Sequence, residues 1–585
     1  MNKNIALIGL GPHAKRIYLN YFKKHKVNLA LVVDLNSKKE STMSYLKEKD
    51  FKNTKFFGLS DEYKDNERLP EEVASNLLSV CKTLEVTHII ISTEPKAHNM
   101  YVEFALRNNY DVLTDKPITV NKNMTSIRSI NKTRKQYYNI LQMAENSKSM
   151  CKVMCQRQYH RGYEYIKDLL NEIVLKYQVP ITYIDIYHCD GNWEMPHDLN
   201  KENHPYKYGY GKLFHSGYHF IDLLSDFIKI NNQLPDNKRI VSGTLIGDCF
   251  TPNDELEVFN INDYKRIFKN QEIPSFYDIK KLDFKKYGEK NFYGKINFKN
   301  SHGAYITHVN LNLLHYGFSR RGWIESKDYY KNNGRIRHEH INIHIGTLMN
   351  IQVHSYQSKE IKDRTKDFLE EEKYGGLEHF DIDIYRNTDI IGGEPYQRIS
   401  LGSLYKEEEK KNILGYNELS REQYLTNFLS GKCEKGDIKD QALAIEILYS
   451  CAKQIHNYYN HKYKEEKIDL KNDNIYPNKI KELKRYSYNT PKDKKKNKHV
   501  IDLYECLKDE YEYSAIISKL DDYNSYQVYL SVGYDNAIAS TLLYKEIKSY
   551  SLAKIYYNIL KIYLKHVKIN KLIKLARRMN KKSEA

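Results

Sequence analysis

KNIALIGLGPHAKRIYLNYF, residues Lys3 to Phe22, begins with an unbroken apolar run from Ile5 to Ile8. Such a run reads as a strand buried on both faces. Gly9, Gly11 and Ala14 follow at GxGxxA spacing, with Pro12 and His13 inside the turn, and Ile17, Leu19 and Phe22 then return at helical spacing. Glycines there permit a tight turn and let backbone amides approach a pyrophosphate at the positive end of the helix. The next apolar strand, LALVVD, ends at Asp34. An acid in that place accepts hydrogen bonds from a ribose diol. Asp34 therefore favours NAD, since a 2′-phosphate would meet its charge, while Lys38 and Lys39 close behind could accommodate NADP. A glycine turn in some other α/β unit is the competing reading.

Farther on, His88 to Ser92 reads as a buried strand, followed by TEPKAH from Thr93 to His98. Asp111 to Thr114 is another strand, and Asp115-Lys116-Pro117 ends it. Loops at the carboxyl edge of an open sheet are where ligands bind, which makes Thr93, His98 and Asp115 cofactor candidates. A lysine there can hydrogen-bond a substrate hydroxyl or polarise a carbonyl. Taken alone, DKP is also simply a turn.

GYGKLFHSGYHFIDLL, Gly209 to Leu224, sets glycines ahead of an apolar helix-like run carrying His215, His219 and Asp222. The two histidines, four apart, share a helical face and suit zinc, with His188, Cys189 or His197 as further ligands. No HExxH accompanies them. A helix with His215 on its wet side accounts for the pattern equally.

Taken together and in this order, GLGPHA, STEPKAH, DKP and GYGKLFHSGYHFIDLL resemble the Gfo/Idh/MocA oxidoreductases. EQYLTNFLSG and DQALAIEILYSCAKQIH are similar to that family's closing helices, so the resemblance extends to about Tyr458. It implies an NAD(P)-dependent dehydrogenase or reductase acting on a secondary alcohol or ketone of a sugar, cyclitol or sugar derivative; from the residues themselves, no metal is expected. It implies His219 as the base for the hydroxyl proton, Lys116 as the group that positions the hydroxyl, and pocket positions for Arg157 and Asp222. It also implies a homo-oligomer formed through the second domain's sheet. His215 stands where many relatives carry Asp, which points to a different proton relay, a different substrate or impaired chemistry. A non-catalytic dinucleotide sensor or scaffold is the alternative that this departure keeps open.

The expected architecture is α/β: a Rossmann doubly wound sheet over 1–120, then an α+β domain with a large, mostly antiparallel sheet over 121–458. Val153 to His160 and Pro180 to His188 read as strands within it, as do FYGKINFKN, GAYITHVNLNLLH and NIQVHSYQ. Arg320, Arg321, Arg335, Arg337, His338 and His340 crowd one passage and suit either an acidic substrate group or a charged strand edge. A Lys/Asn-rich linker is expected over 459–499 and an α-helical extension over 500–585.

With 585 residues the chain is too long for one ordinary core. A net charge of +18 raises a third class, a basic nucleic-acid-binding protein, or contact of the basic tail (Lys565 to Lys582) with an anionic membrane. A solvated lysine face accounts for the tail more simply. No CxxC pair, leader-like segment or long apolar run is present. A reduced, cytoplasmic protein is expected.

Overall fold

The computed structural model describes residues 3–193, 199, 206–267, 284–319, 336–357, 378–406, 416–462, 465–469, 500–508, 511–519, 526–533, 540–547 and 549–566. His197, Arg320, Arg321, Arg335, the lysine run at 492–498 and the tail beyond His566 lie outside them. The chain divides into two units, 1–478 and 479–585.

The first unit begins with a six-stranded parallel sheet in the order β3-β2-β1-β4-β5-β6. Its strands are β1 (Asn4–Ile8), β2 (Asn28–Leu35), β3 (Lys55–Leu59), β4 (His88–Ile91), β5 (Asp111–Thr114) and β6 (Cys151–Val153). β1 pairs β2 on one side and β4 on the other, with Ile8 opposite Val33 and Ile91. The strand order reverses between β1 and β4, which opens a crevice at their carboxyl ends. α1 is three continuous helical segments, Pro12–Ala14, Lys15–Leu19 and Asn20–His25. Between the strands run α2 (Lys39–Glu48), α3 (Glu71–Thr83), α4 (His98–Arg107) and α5 (Ile127–Asn146).

Side chains alternate across this sheet, so each face has its own core. Ala6, Ile8, Val33, Ile89 and Ile91 pack with Leu77 of α3 and Val102 of α4. Leu7, Val32, Ile90 and Leu113 pack instead with Tyr18 and Phe22 of α1. That second face is completed by Tyr424, Leu425 and Phe428 of a helix from much later in the chain, Tyr416–Ser430. The expected boundary at 120 therefore falls short. α5 carries the chain on to a sixth strand, and a distant helix closes the sheet.

The second sheet has nine strands in the order β14-β13-β12-β11-β7-β10-β9-β8-β15. β7 (Tyr183–Asn192) is central, parallel to β10 (Tyr305–Tyr316) and antiparallel to β11 (Arg337–Ile345). β12 (Met349–Gln357), β13 (Glu378–Arg386) and β14 (Tyr396–Ser400) extend one side, and β9 (Asn291–Lys299) and β8 (Ser242–Phe250) the other. One face is apolar: Ile341, Ile343 and Ile345 of β11 are at most 1% exposed, while Asn342 and His344 between them are half-buried. The apolar face joins a core that includes α6 (Arg161–Tyr177), α7 (Tyr218–Asn231) and α9 (Ala442–Tyr459); the helix Tyr416–Ser430 is α8 in this numbering. Val153 to His160, expected as a strand, is one only to Val153; Gln156–Tyr159 is a 3-10 turn.

Two expectations for the C-terminal part are corrected. Glu466–Asp469, read as linker, is edge strand β15 and pairs with Ser242 to Leu245 of β8. The segment from 500 onward, read as helical, is mainly a four-stranded antiparallel sheet. It comprises β16 (Val500–Lys508), β17 (Tyr511–Lys519), β18 (Tyr526–Gly533) and β19 (Ser540–Ile547), paired in sequence order. Short runs rich in Tyr, Val and Ile prefer pleated surfaces. The three-to-four spacing that suggested helix belongs to α10 (Tyr550–His566), where Ala553 and Tyr557 are buried. Among the described residues no helix is long and apolar enough to cross a membrane.

Candidate functional site

The site is built where β1, β4 and β5 end. Gly9 leaves β1 with φ +87°, and a Cβ there would lie 2.7 Å from the Ser92 carbonyl oxygen. Only glycine fits both the angle and the gap. Gly11 is different: a Cβ there would meet nothing within 4 Å. It stands at the amino end of α1 beside Pro12 at the first helical position, a place that suits proline because its missing N–H needs no partner. Ala14 is fully buried.

Asp34 is the penultimate residue of β2 and is 8% exposed. Its Oδ2 accepts from Leu10 N–H at 2.9 Å and its Oδ1 from Leu35 N–H at 2.8 Å. Each oxygen keeps capacity for a further donor. Open space over Gly11 at a helix start, with a pre-oriented carboxylate on the neighbouring strand, fits a dinucleotide: Gly9 to Ala14 would face its phosphates and Asp34 its ribose.

Asp115 does not extend this cradle. Its carboxylate accepts from Tyr18 Oη and Ser92 Oγ, each at 2.6 Å, with His13 Nε2 3.7 Å away. It ties β4, β5 and α1 together. His98 is wholly buried; its Nδ1 donates to the Pro117 carbonyl at 2.8 Å and its Nε2 lies 3.2 Å from the Thr93 carbonyl. His98 and the Thr93 backbone thus latch the TEPKAH loop to the DKP turn.

Lys116 Nζ leaves that turn and donates to the backbone carbonyl of His215 at 2.7 Å. Burial pulls its ammonium down to about 8, against the attraction of Asp115 and Asp190. His215 has a non-helical backbone, φ −92° and ψ −112°, just ahead of α7. Its carbonyl makes the contact with Lys116, while its ring lies against Tyr206 and Tyr210 with centroids 5.5 and 5.9 Å away. One helical turn later stands His219, 8% exposed. Its Nε2 is 3.3 Å from Gln156 Nε2, and its Nδ1 has no hydrogen-bond partner among the described residues. Burial, then the positive charges of Lys116 and Arg157, hold the imidazole well below its ordinary pKa. His219 is therefore held in its neutral form.

Two expected pocket residues are engaged elsewhere. Arg157 forms a buried two-pronged pair with Glu339 of β11, shared with Tyr163 Oη, and lies 4.1 Å over the Phe220 ring. Asp222 accepts from Gln158 Nε2 at 2.9 and 3.1 Å and from Gln441 Nε2 at 2.9 Å. A buried polar group must find such partners, and both residues have them, while the Arg157 charge still bears on His219. The zinc alternative gains no ligand set: among the described residues no three His, Cys, Asp or Glu side chains are placed to hold a metal. His188 Nδ1 instead accepts from Lys212 at 2.8 Å.

That lysine belongs to a cluster that sequence reasoning missed. Lys212 Nζ also donates to Asp190 Oδ2 at 2.6 Å and to Ser216 Oγ at 2.8 Å. Ser216 donates to Asp190, and His315 Nδ1 lies 3.2 Å from the same carboxylate. Only an unusual lysine inside the glycine run signalled it.

Residues 3–145 match the model of a family described as "Oxidoreductase family, NAD-binding Rossmann fold", GFO_IDH_MocA. The resemblance read from the motifs thus holds for the dinucleotide domain, which is an NAD-binding Rossmann fold of an oxidoreductase family. No curated protein matches the chain. Among solved structures, an oxidoreductase from Agrobacterium radiobacter in complex with NAD+, L-tartaric acid and magnesium is 11% identical; the match covers 80% of this chain and 99% of that one, at a TM-score of 0.45. KijD10, a 3-ketoreductase from Actinomadura kijaniata in complex with NADP and TDP-benzene, is 9% identical, with coverage of 77% and 96% and a TM-score of 0.44. The WlbA dehydrogenase from Bordetella pertussis, in complex with NADH and UDP-GlcNAcA, is 11% identical, with coverage of 80% and 98% and a TM-score of 0.44.

Proposed function

We propose, from the premise of an NAD-binding Rossmann domain in an oxidoreductase family, that this chain interconverts a secondary alcohol and a ketone of a sugar, cyclitol or sugar derivative. The observation that carries the reading is the bond from Lys116 Nζ to the carbonyl one helical turn before His219. It brings a cation from the dinucleotide domain to the start of the helix that bears a buried neutral base.

A bound nicotinamide supplies the hydride acceptor or donor. The chain supplies the rest. Gly9 to Ala14 and Asp34 hold the cofactor along the crevice, and Asp34 favours an unphosphorylated ribose. Lys116 donates to the substrate oxygen and stabilises the charge that grows on it. His219 takes the hydroxyl proton during oxidation and returns it during reduction. His98 and Asp115 hold the turn that presents Lys116.

Titration of the protein with NADH and NADPH, followed by nicotinamide fluorescence, is the first test. A screen of sugars and cyclitols, with Lys116→Ala as control, is the second. Tight NADH binding and Lys116-dependent hydride exchange are expected. Binding without exchange on any such substrate would favour the sensor or scaffold reading.

A further inference from the structure

The cluster around Asp190 has no place yet in the chemistry. Asp190 lies near the end of β7, Lys212 and Ser216 in the turn before α7, and His315 on β10. Lys212 is 0% exposed and Asp190 2%. Burying an unpaired lysine or aspartate is costly, so each is the other's condition for being there. Lys212 donates to His188 Nδ1, Asp190 and Ser216 at once, which uses all three of its protons. Ser216 closes the triangle by donating to Asp190.

The triangle spans one peptide of special shape. Lys212 and Ser216 flank His215, whose backbone departs from the helix and whose carbonyl faces Lys116. A kinked peptide keeps a sparsely populated geometry only where its surroundings over-determine it. Here a buried ion pair grips the chain on both sides of the kink.

We propose that Asp190 and Lys212 are positioning residues for Lys116: through Ser216 they fix the His215 carbonyl, which in turn fixes the ammonium over the substrate oxygen. The inference rests on the reading of Lys116 as the group that holds that oxygen. Asp190 acts through its charge as well, which attracts the Lys116 ammonium. Among the described residues, the other charged or titratable groups that bear on Lys116 include Asp115 of its own turn, His13 of α1, His98 of α4, Cys155 after β6, Lys212, His219 of α7 and Arg421 of α8. Asp190 is the carboxylate among them that the second sheet supplies.

The test reads Lys116 itself. Full-length protein is acylated with a trace N-hydroxysuccinimide ester across a pH series, and labelling of Lys116 is followed by mass spectrometry, with exposed lysines as internal standards. The wild-type midpoint is expected near 8. The double variant Asp190→Asn/Lys212→Met removes one charge of each sign and leaves no buried ion unpaired. It also releases the carbonyl that stabilises the ammonium, so its midpoint is expected to fall by about one pH unit, with about fivefold faster labelling at pH 7. An unchanged midpoint overturns the proposal. So does a rise toward that of an ordinary lysine, which would show that the cluster merely keeps the fold closed. If the double variant does not fold, Ser216→Ala decides: a smaller fall is expected, and no shift overturns the proposal. Normal turnover by Lys116→Ala would sink the functional reading instead, whatever the labelling shows.

Discussion

The Lys116 ammonium and the His215 backbone carbonyl meet at 2.7 Å, joining the turn after β5 to the start of α7. Lys116→Ala removes the substrate-facing donor and leaves the glycine turn intact. Turnover is expected to fall by ~10²- to 10⁴-fold, the range of a positioned proton-handling group. NADH affinity is expected to stay within about twofold. Steady-state rates and a fluorescence titration measure the two separately.

The pH profile follows from the same lysine. Its ammonium, pulled down to about 8, donates a hydrogen bond only while protonated. Activity is expected to fall as pH rises through about 8 and to gain no acid limb near neutrality from His219, which is already neutral there. Rates of hydride exchange from pH 6 to 10, on whichever sugar is accepted, check this. A bell centred on an ordinary imidazole pKa would contradict it.

Gly9 and Gly11 should respond differently to alanine. Gly9→Ala forces a Cβ to 2.7 Å from the Ser92 carbonyl at φ +87°, so it is expected to lower thermal stability as well as cofactor binding. Gly11→Ala meets no protein atom, so the melting temperature is expected to hold while NADH affinity drops. Calorimetry with and without NADH separates the two outcomes.

Glu339→Ala would leave Arg157 buried without its carboxylate. Breaking one side of such a pair costs about 3–5 kcal/mol. Urea unfolding is expected to show an unfolding free energy lowered by that amount, and Arg157→Met/Glu339→Leu to recover most of it.

A chain ending at residue 478 contains both large sheets, including edge strand β15. It is expected to fold, bind NADH with the affinity of the full chain, and lose any salt-dependent retention on a polyanion column. Retention that survives truncation would assign it to the first unit.

The dinucleotide cradle was legible because its parts are local: Gly9, Gly11 and Asp34 lie on one strand-helix-strand unit whose spacing is fixed by covalent geometry. Lys116 and His219 were legible only as members of an ordered set of motifs. Asp190, Lys212 and His315 were not. Strand pairing between β7 and β10 brings the first and last together, and no pattern within either strand announces it. The partners of Arg157 and Asp222 were not legible, because a sequence shows a charged residue without showing which group will engage it. Beyond residue 500 the spacing of one real helix, Tyr550–His566, was extended backward over strands whose alternation is short and interrupted.

Val153 of β6 donates its backbone N–H to the Gly436 carbonyl at 2.9 Å, and beside it Lys152 grips Asp437, 285 positions along the chain. A ribosome needs about 15–60 s to cover that distance at ~5–20 residues per second. Throughout that interval the nascent first sheet carries a bare edge at β6 and an apolar face awaiting Tyr424, Leu425 and Phe428. Synthesis order thus leaves that edge and that face of the cofactor domain uncovered until α8 and the segment just after it have been made.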